Sequence, residues 1–442
     1  MSAAMLDATH DPAARSWLDA AHAPGCDFPL QNLPHAVFRR AGSNEAFRGG
    51  VAIGDQVIDL QALLQAGVFE GLATTAAGAA AQSTLNDFFA QGPAAWKALR
   101  HALFALLKEG TPADTARVRR ALVPMAEVAY TVPARIGDYT DFYTSIDHAL
   151  NISRLMNPQG DVTPNFRWIP TAYHGRVSTI GVSGQQFRRP MGQTLAPGAS
   201  APAFHACARL DYELELGIWI GQGNAAGEPI ALAQAEQHIF GICLLNDWSA
   251  RDIQFWEMAP LGPFLAKNFA TTISPWIVTM EALAPYRTPW TRAAGEPQPL
   301  PYLESEANRA SGALDIRLEV WLESERARAA GRGPSRLSST SFRHQYWTPA
   351  QMVTHHTVGG CSLMPGDLLG SGTISGPGPG EAGAIIELTR AGQSPVALAD
   401  GEERGFLQDG DAVLLRGWCE KPGAARIGFG ESRGTVLPAR RG

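Results

Sequence analysis

Five stretches of the sequence concentrate side chains able to do chemistry. The first, Gly137–Asn151 (GDYTDFYTSIDHALN), brings aspartate, tyrosine and histidine together, with Asp141 and His148 seven positions apart. A carboxylate and an imidazole so placed can share a site, and Asp138 or Asp141 can equally cap a turn or a helix. The second, Leu210–Gly221 (LDYELELGIWIG), has acids at Asp211, Glu213 and Glu215. On a strand alternate residues share a face, so these acids stand about 6.5–7 Å apart and repel one another. They form either the solvated face of an antiparallel sheet or, since the strand runs on into Gly217–Ile220, a site relieved by a hard divalent cation that takes carboxylate oxygens.

The third stretch, LLNDWSARDIQFWE, runs an apolar strand into Asn246-Asp247 and then a helical pattern. Either residue can cap that helix, while Asp247 with Arg251 and Arg251 with Gln254 stand at spacings that share a helix face. A surface helix gives the same pattern. The fourth, PLGPFLAKNFATTISPW, isolates Lys267 among apolar and small residues, where an ammonium either snorkels to the surface or is a deliberately placed charge. The fifth joins the glycine-rich MPGDLLGSGTISG to a predicted strand, GAIIELTRAG, that carries Glu387. It lacks the Gly-Lys-Ser/Thr of a nucleotide loop, but Thr373 and Ser375 can offer hydroxyl and backbone donors to a carboxylate.

Positioning such groups is the work of the intervening elements. HAVFRR (His35–Arg40) and GVAIGDQVIDL (Gly50–Leu60) read as short strands. LNDFFAQGPAAWKALRHALFALLKEG has apolar residues at helical spacing, with Asn86 or Asp87 as cap and Gly110 as stop. From about Tyr130 onward, HIFGICLLND, SPWIVTM, DIRLEVWLES and DAVLLRGWCE read as further strands. Helices are expected at Trp248–Glu257, Ala233–His238 and Pro349–His355, and Ala284–Ser311 reads as a long excursion. The predicted fold class is mainly β (α+β), with a front domain over 1–130 and a larger β-rich domain over 131–442.

Composition narrows the partners. With 442 residues, 45% of them hydrophobic, the chain can bury a large core, which excludes a disordered or disulfide-stapled protein. Lys and Arg number 36 against 42 acids, so there is no cationic surface for nucleic acid. Five cysteines without a CxxC pair predict reduced thiols and a cytoplasmic setting. The start, MSAAMLDATHDPAARSW, lacks the apolar stretch of a secretory signal, and no later run approaches the ~18 apolar residues of a membrane span. The 46 glycines and 31 prolines predict many tight turns between short strands.

In order along the chain, DYTDFY, YHGR, RRPMGQ, ELE, NDWSARDIQ, PLGPFL, TTISPW, THH, PGDLLGSGTISG and RIGFGE resemble the fumarylacetoacetate hydrolase family, over about Asp138 to Pro438. The resemblance implies an SH3-like barrel in residues 1–130, a β-rich roll in 131–442 and a homodimer. It implies metal-dependent hydrolysis of the carbon–carbon bond of 4-fumarylacetoacetate, a diketo dicarboxylic acid, to fumarate and acetoacetate, the last step of tyrosine and phenylalanine breakdown. Asp141, Glu213, Glu215 and Asp247 match the ligands of Mg²⁺ or Ca²⁺, and Lys267 and Thr271 match positions near a second, weaker cation site. His148 matches the general base and Glu387 the carboxylate that orients it. Arg251, Gln254 and Lys267 match groups that stabilise the oxyanion and the leaving group, and Tyr143, Tyr173, Gln254 and Thr373 match substrate contacts.

The chain departs from the family pattern at Asn157, which aligns with a substrate-binding arginine and has Arg154 nearby, and at Met258, which replaces a tyrosine. Both departures touch substrate contacts, so a hydrolase or decarboxylase of a related acylpyruvate or 2-oxo acid stays open, as does a non-catalytic protein holding a structural ion. A serine hydrolase is disfavoured, because Gly181-Val182-Ser183-Gly184 lacks the spacing of a nucleophile elbow.

Overall fold

A computed structural model describes residues 6–110, 115–399 and 401–440. The first five residues of the leading stretch read above lie outside it. The front of the chain forms a five-stranded antiparallel sheet, in spatial order Leu122–Pro124, Gln56–Asp59, Arg48–Ile53, His35–Arg40 and Val128–Thr131. The short strands expected in 50–60 are Arg48–Ile53 and Gln56–Asp59, turned at Gly54, whose φ of 58° suits glycine. The helix Gly71–Ala80 lies so close to this sheet that a Cβ on Gly49 would stand 1.6 Å from the Ala80 carbonyl oxygen. The expected helix after Leu85 is also divided. Asn86–Ala90 and Pro93–Leu107 are separated at Gly92, with Pro93 opening the second helix. Asn86 does not cap; its amide donates to the Arg135 and Pro365 carbonyls and ties this helix to the segments that lead into Tyr139–Tyr143 and Leu368–Gly370.

The rest of the chain is built on two sheets. The central one orders Thr171–His174, Tyr139–Tyr143, Leu368–Gly370, Leu214–Ile220, Ile239–Asp247, Thr271–Ile273 and Ile180–Val182, with Val278–Thr279 also paired to Ile239–Asp247. The second orders Ser335–Ser341, Arg317–Glu323, Ala412–Cys419, Ile427–Leu437 and Gln185–Arg188. They share one core, in which Leu214, Leu216, Ile218, Ile242 and Leu244 meet Leu318, Val320, Val413, Leu415 and Phe429. The opposite face of the central sheet, through Trp219, Phe240, Cys243 and Leu245, packs on the front helices through Phe88 and Phe89. A main-chain bridge reinforces this contact: His35 and Ile277 exchange N–H···O bonds of 3.0 and 2.8 Å. The described residues are β-rich with helices packed against the sheets, an α+β fold.

Of the two readings of the acidic run, the solvated face falls away, because Asp211, Glu213 and Glu215 are all buried. Other expectations are corrected. Glu387 stands not on a strand but on the short helix Ile385–Leu388, because the Asp211 carboxylate accepts from the Ile385 and Ile386 amides at 2.8 and 3.2 Å and starts a helical turn there. The predicted helix over 248–257 begins at Arg251, and Ala233–His238 narrows to a 3₁₀ turn from Ala235. Pro349–Thr357 is a helix, and the 284–311 excursion holds only short pieces, ending in the helix Glu306–Ser311. All five cysteines are free thiols.

The contact between front helices and central sheet predicts the effect of one truncation. Phe240 is buried among Phe88, Phe89 and Trp96, with ring centroids 4.5–5.5 Å away. Phe240→Ala should cost about 3–5 kcal/mol of unfolding free energy, read from the denaturation midpoint at unchanged slope.

Candidate active site

The central sheet delivers its acids to one point because its strands end there. Asp141 lies on Tyr139–Tyr143, Glu215 on Leu214–Ile220, Asp247 ends Ile239–Asp247, and Glu213 precedes its strand at a bridge to Ala384. Each carboxylate offers an oxygen within 4.8 Å of the others, and all four are buried. Gly370 pairs between the strands of Asp141 and Glu215. A Cβ there would stand 2.5 Å from Asp141 Oδ1 and 3.0 Å from Glu215 Oε2, so only glycine leaves the acids room.

Two buried cations answer part of this charge. Lys267 Nζ donates to Glu213 and, at 2.7 Å, to Asp247. Arg251 bridges Asp211 and Glu213 at 2.8 Å each, and its Nη1 reaches Gln254 Oε1 at 3.1 Å. Five buried carboxylates, counting Asp211, thus face two cations. Burial is the largest influence on every carboxyl here and favours protonation. For Asp141 and Glu215, Asp247 and Glu213 add to it and both acids are raised well above the ordinary range. Asp247 is raised too, although Lys267 opposes its burial. Only Glu213, which takes both Lys267 and Arg251, is held low against its burial. Burial would strip Lys267 of its proton, but Asp247 and Glu213 keep it charged.

This donor set fits a hard divalent cation. Four hard oxygen donors converge, and Asp141 Oδ1 and Glu215 Oε1, although buried, have no hydrogen-bond partner. Lys267 has no lone pair to give while it stays protonated, so its influence near a cation is that of a positive charge. Thr271 Oγ1 lies 3.3 Å from Asp247 Oδ1.

Beside the acids opens a cavity of about 400 Å³, lined by Asp141, Tyr143, His148, Arg251, Lys267 and Thr373 among others. His148 sits in the first turn of Ile146–Met156, which Ser145 caps by accepting from the His148 amide at 3.2 Å. Its Nδ1 lies 2.7 Å from Glu387 Oε2. A carboxylate only accepts, so Nδ1 carries the proton and Nε2 is left as the basic nitrogen. Tyr143 meets the imidazole edge-on at 5.4 Å between centroids. Tyr173 and Gln254 also line the cavity, although the Tyr173 hydroxyl is donated to Asp247 Oδ2 at 3.0 Å. Arg251 Nη2 has no partner and remains a spare buried donor.

The structure therefore brings together the residues matched above to cation ligands, base, oxyanion donors and substrate contacts, while the two departures differ from each other in place. Met258 lines the cavity, whereas Asn157 is an exposed residue ending the His148 helix, its Oδ1 accepting from the Gln159 amide. Arg154 lines a different cavity. Sequence reasoning missed the apolar wall of Phe142, Ile152, Val162 and Phe166, and the role of Asp211 as partner to Arg251. The parity of Asp211 with Glu213 suggested a shared face, but the short strand Leu210–Asp211 pairs with Ser249–Ala250 instead.

A cation held here stabilises the fold by mass action, about 2.7 kcal/mol at a hundredfold excess over Kd. Chelator-treated protein should gain several degrees in Tm with added Ca²⁺ or Mg²⁺, and less at acid pH, where protons compete for the raised carboxylates. Glu215→Gln should abolish that response.

Comparison with known proteins agrees with the motif order. Residues 139–437 match the family described as "Fumarylacetoacetate (FAA) hydrolase C-terminal", and residues 31–133 match "Fumarylacetoacetase N-terminal". The chain is 44% identical over 441 residues to fumarylacetoacetase of Oryza sativa subsp. japonica, covering 98% of this chain and 100% of that one. It is 44% identical over 418 residues to fumarylacetoacetase of Homo sapiens, covering 93% and 97%, and 46% identical over 418 residues to that of Arabidopsis thaliana, covering 93% and 96%. With both of its halves matched and such similarity along nearly its whole length, the chain belongs to the fumarylacetoacetase family.

Proposed function

We propose that this protein hydrolyses the carbon–carbon bond of 4-fumarylacetoacetate, releasing fumarate and acetoacetate, with residues 131–442 as the catalytic domain and 1–130 as its support. The observation that carries the reading is His148, oriented from behind by Glu387, facing the cavity that Asp141, Glu213 and Glu215 of the carboxylate cluster also line. When bound, a Mg²⁺ or Ca²⁺ ion supplies Lewis acidity to the diketone oxygens and spreads the charge of the enolate-like leaving group.

The chain's own residues do the rest. Nε2 of His148 takes a proton from water as that water attacks the carbonyl next to the scissile bond, and Glu387 stabilises the imidazolium that results. Arg251, with its spare Nη2, Gln254 and Lys267 present donors to the oxyanion. The protonated imidazole then returns its proton to the departing carbanion. Tyr143, Tyr173 and Thr373 face the cavity as contacts for the substrate's ends, and the Phe142, Ile152, Val162 and Phe166 wall keeps bulk water away. Of the two departures, Met258 lines the cavity and Asn157 does not, so Met258 is the one placed to alter the range of substrates.

We also propose a homodimer. Among the described residues, nine of the sixteen exposed large apolar side chains fall in two adjoining segments: Met191, Leu195 and Phe204 on one hairpin, and Phe255, Trp256, Met258, Leu261, Phe264 and Leu265 beyond it. Gly192 lies against Ile253, which places the hairpin beside the helix Arg251–Glu257. Such a patch exceeds the scattered apolar exposure of monomers. Phe255 and Met258 also line the cavity, so a second copy on this face would border the site. Among the described residues no helix is long and apolar enough to cross a membrane, and five free thiols support a reducing, cytoplasmic setting.

His148→Ala should lower fumarylacetoacetate turnover by about 10²–10⁴-fold while leaving the cation-dependent rise in Tm intact. Full activity in that variant, or no consumption of substrate by wild type with Ca²⁺ or Mg²⁺ present, would sink the proposal. Leu261→Glu with Phe264→Glu should convert the protein from dimer to monomer by light scattering.

A further inference from the structure

Glu387 is held by more than its imidazole partner. Asn151 Nδ2 donates to Oε1 at 2.9 Å, and Ser375 Oγ lies 2.9 and 3.1 Å from Oε1 and Oε2. The direction of the Ser375 bond is fixed, because its Oγ already accepts from the Gly383 amide at 2.9 Å, which leaves its one proton for the carboxylate. Asn151 stands three residues after His148 on the same helix, and Ser145, which caps that helix, also donates to the Ser375 carbonyl at 3.1 Å. Helix, glycine-rich loop and Glu387 therefore form one linked unit.

The unit has something to resist. Behind Glu387 lies a second cavity of about 590 Å³, separate from the catalytic one and lined by Glu387, Asn151, Asp147, Arg154 and Arg390. Two exposed guanidinium groups border that space, whereas the His148 side offers a single N–H. A carboxylate on a freely rotating side chain would be drawn toward the arginines and water, and the imidazole would lose both its orientation and its Nδ1–H tautomer.

We propose that Asn151 and Ser375 are positioning residues that clamp Glu387 against His148 and away from the second cavity. Three donors then converge on Glu387, which fixes its rotamer and directs Oε2 at Nδ1. The inference rests on the hydrolase reading for its kinetic consequences, but the clamp itself has a readout independent of turnover.

Asn151→Ala and Ser375→Ala should each lower kcat by about 10–100-fold with KM within about twofold of wild type. Asn151→Asp keeps shape but replaces donors with a like charge, so it should be worse than Asn151→Ala; a space-filling role gives the opposite order and overturns the proposal. In a Glu387→Gln background, Ser375→Ala should cost little more, and a fully additive loss overturns it as well. Should Ser375→Ala fold poorly, the Asn151 pair and the Asn151→Ala/Glu387→Gln double variant carry the same test. The hydrogen-bonded Nδ1–H of His148 should give a downfield proton resonance that Glu387→Gln removes and Asn151→Ala broadens or shifts. An unaltered resonance in Asn151→Ala overturns the clamp whether or not the protein turns over fumarylacetoacetate. Absence of turnover with the resonance changed as expected overturns only the hydrolase reading.

Discussion

An excess of negative charge buried at the end of an apolar sheet is the constraint on which the rest of this structure depends. Ionised carboxylates leave water at a cost of several kcal/mol each unless they are paired. Asp141, Glu215 and Asp247 are all pushed toward protonation, and two cations among five carboxylates cannot relieve them. A divalent ion bound among them would supply the missing charge. The surroundings are arranged for that occupant: Gly370 leaves room between the strands, the Gly372 amide donates to Glu215 at 3.0 Å, and Lys267 and Arg251 are placed to serve Glu213.

The same strand shows how position decides chemistry among identical groups. Glu213 and Glu215 stand two residues apart, yet Glu213 is held ionised by Lys267 and Arg251 while Glu215 is raised by its acidic neighbours. Asp211, two residues earlier, takes a third role. Its carboxylate neutralises Arg251 and receives the first amides of the Ile385–Leu388 helix, so one side chain orients Arg251 and sets where the helix carrying Glu387 begins. Removing it would leave a buried guanidinium with one carboxylate fewer and a helical turn without a cap.

The front of the chain contributes support. Its helices fill the face of the central sheet opposite the second sheet, so the strands bearing the acids are buried on both sides. A sheet packed on two faces has little freedom to splay, and the carboxylates at its end inherit that rigidity. The exposed apolar patch lies elsewhere, on the hairpin and helix beside the cavity, where coverage by a second copy would limit access to the site rather than stiffen it.

Much of this was legible in the residues. The strand His35–Arg40, the helix Pro349–Thr357, the free cysteines and the apolar strands of both sheets follow from local periodicity and composition, and the ordered motifs pointed to the acids, His148 and Glu387. What the sequence could not decide involves partners far apart along the chain. Glu387 meets His148 across 239 residues, Asn151 across 236, and Ser145 reaches Ser375 across 230. The strand expected at GAIIELTRAG became a helical turn because a carboxylate 174 positions away captured its amides. Periodicity reports which face of an element is apolar, whereas pairing between elements depends on how their faces stack, and that is fixed only when the two sheets and the front helices close on one another.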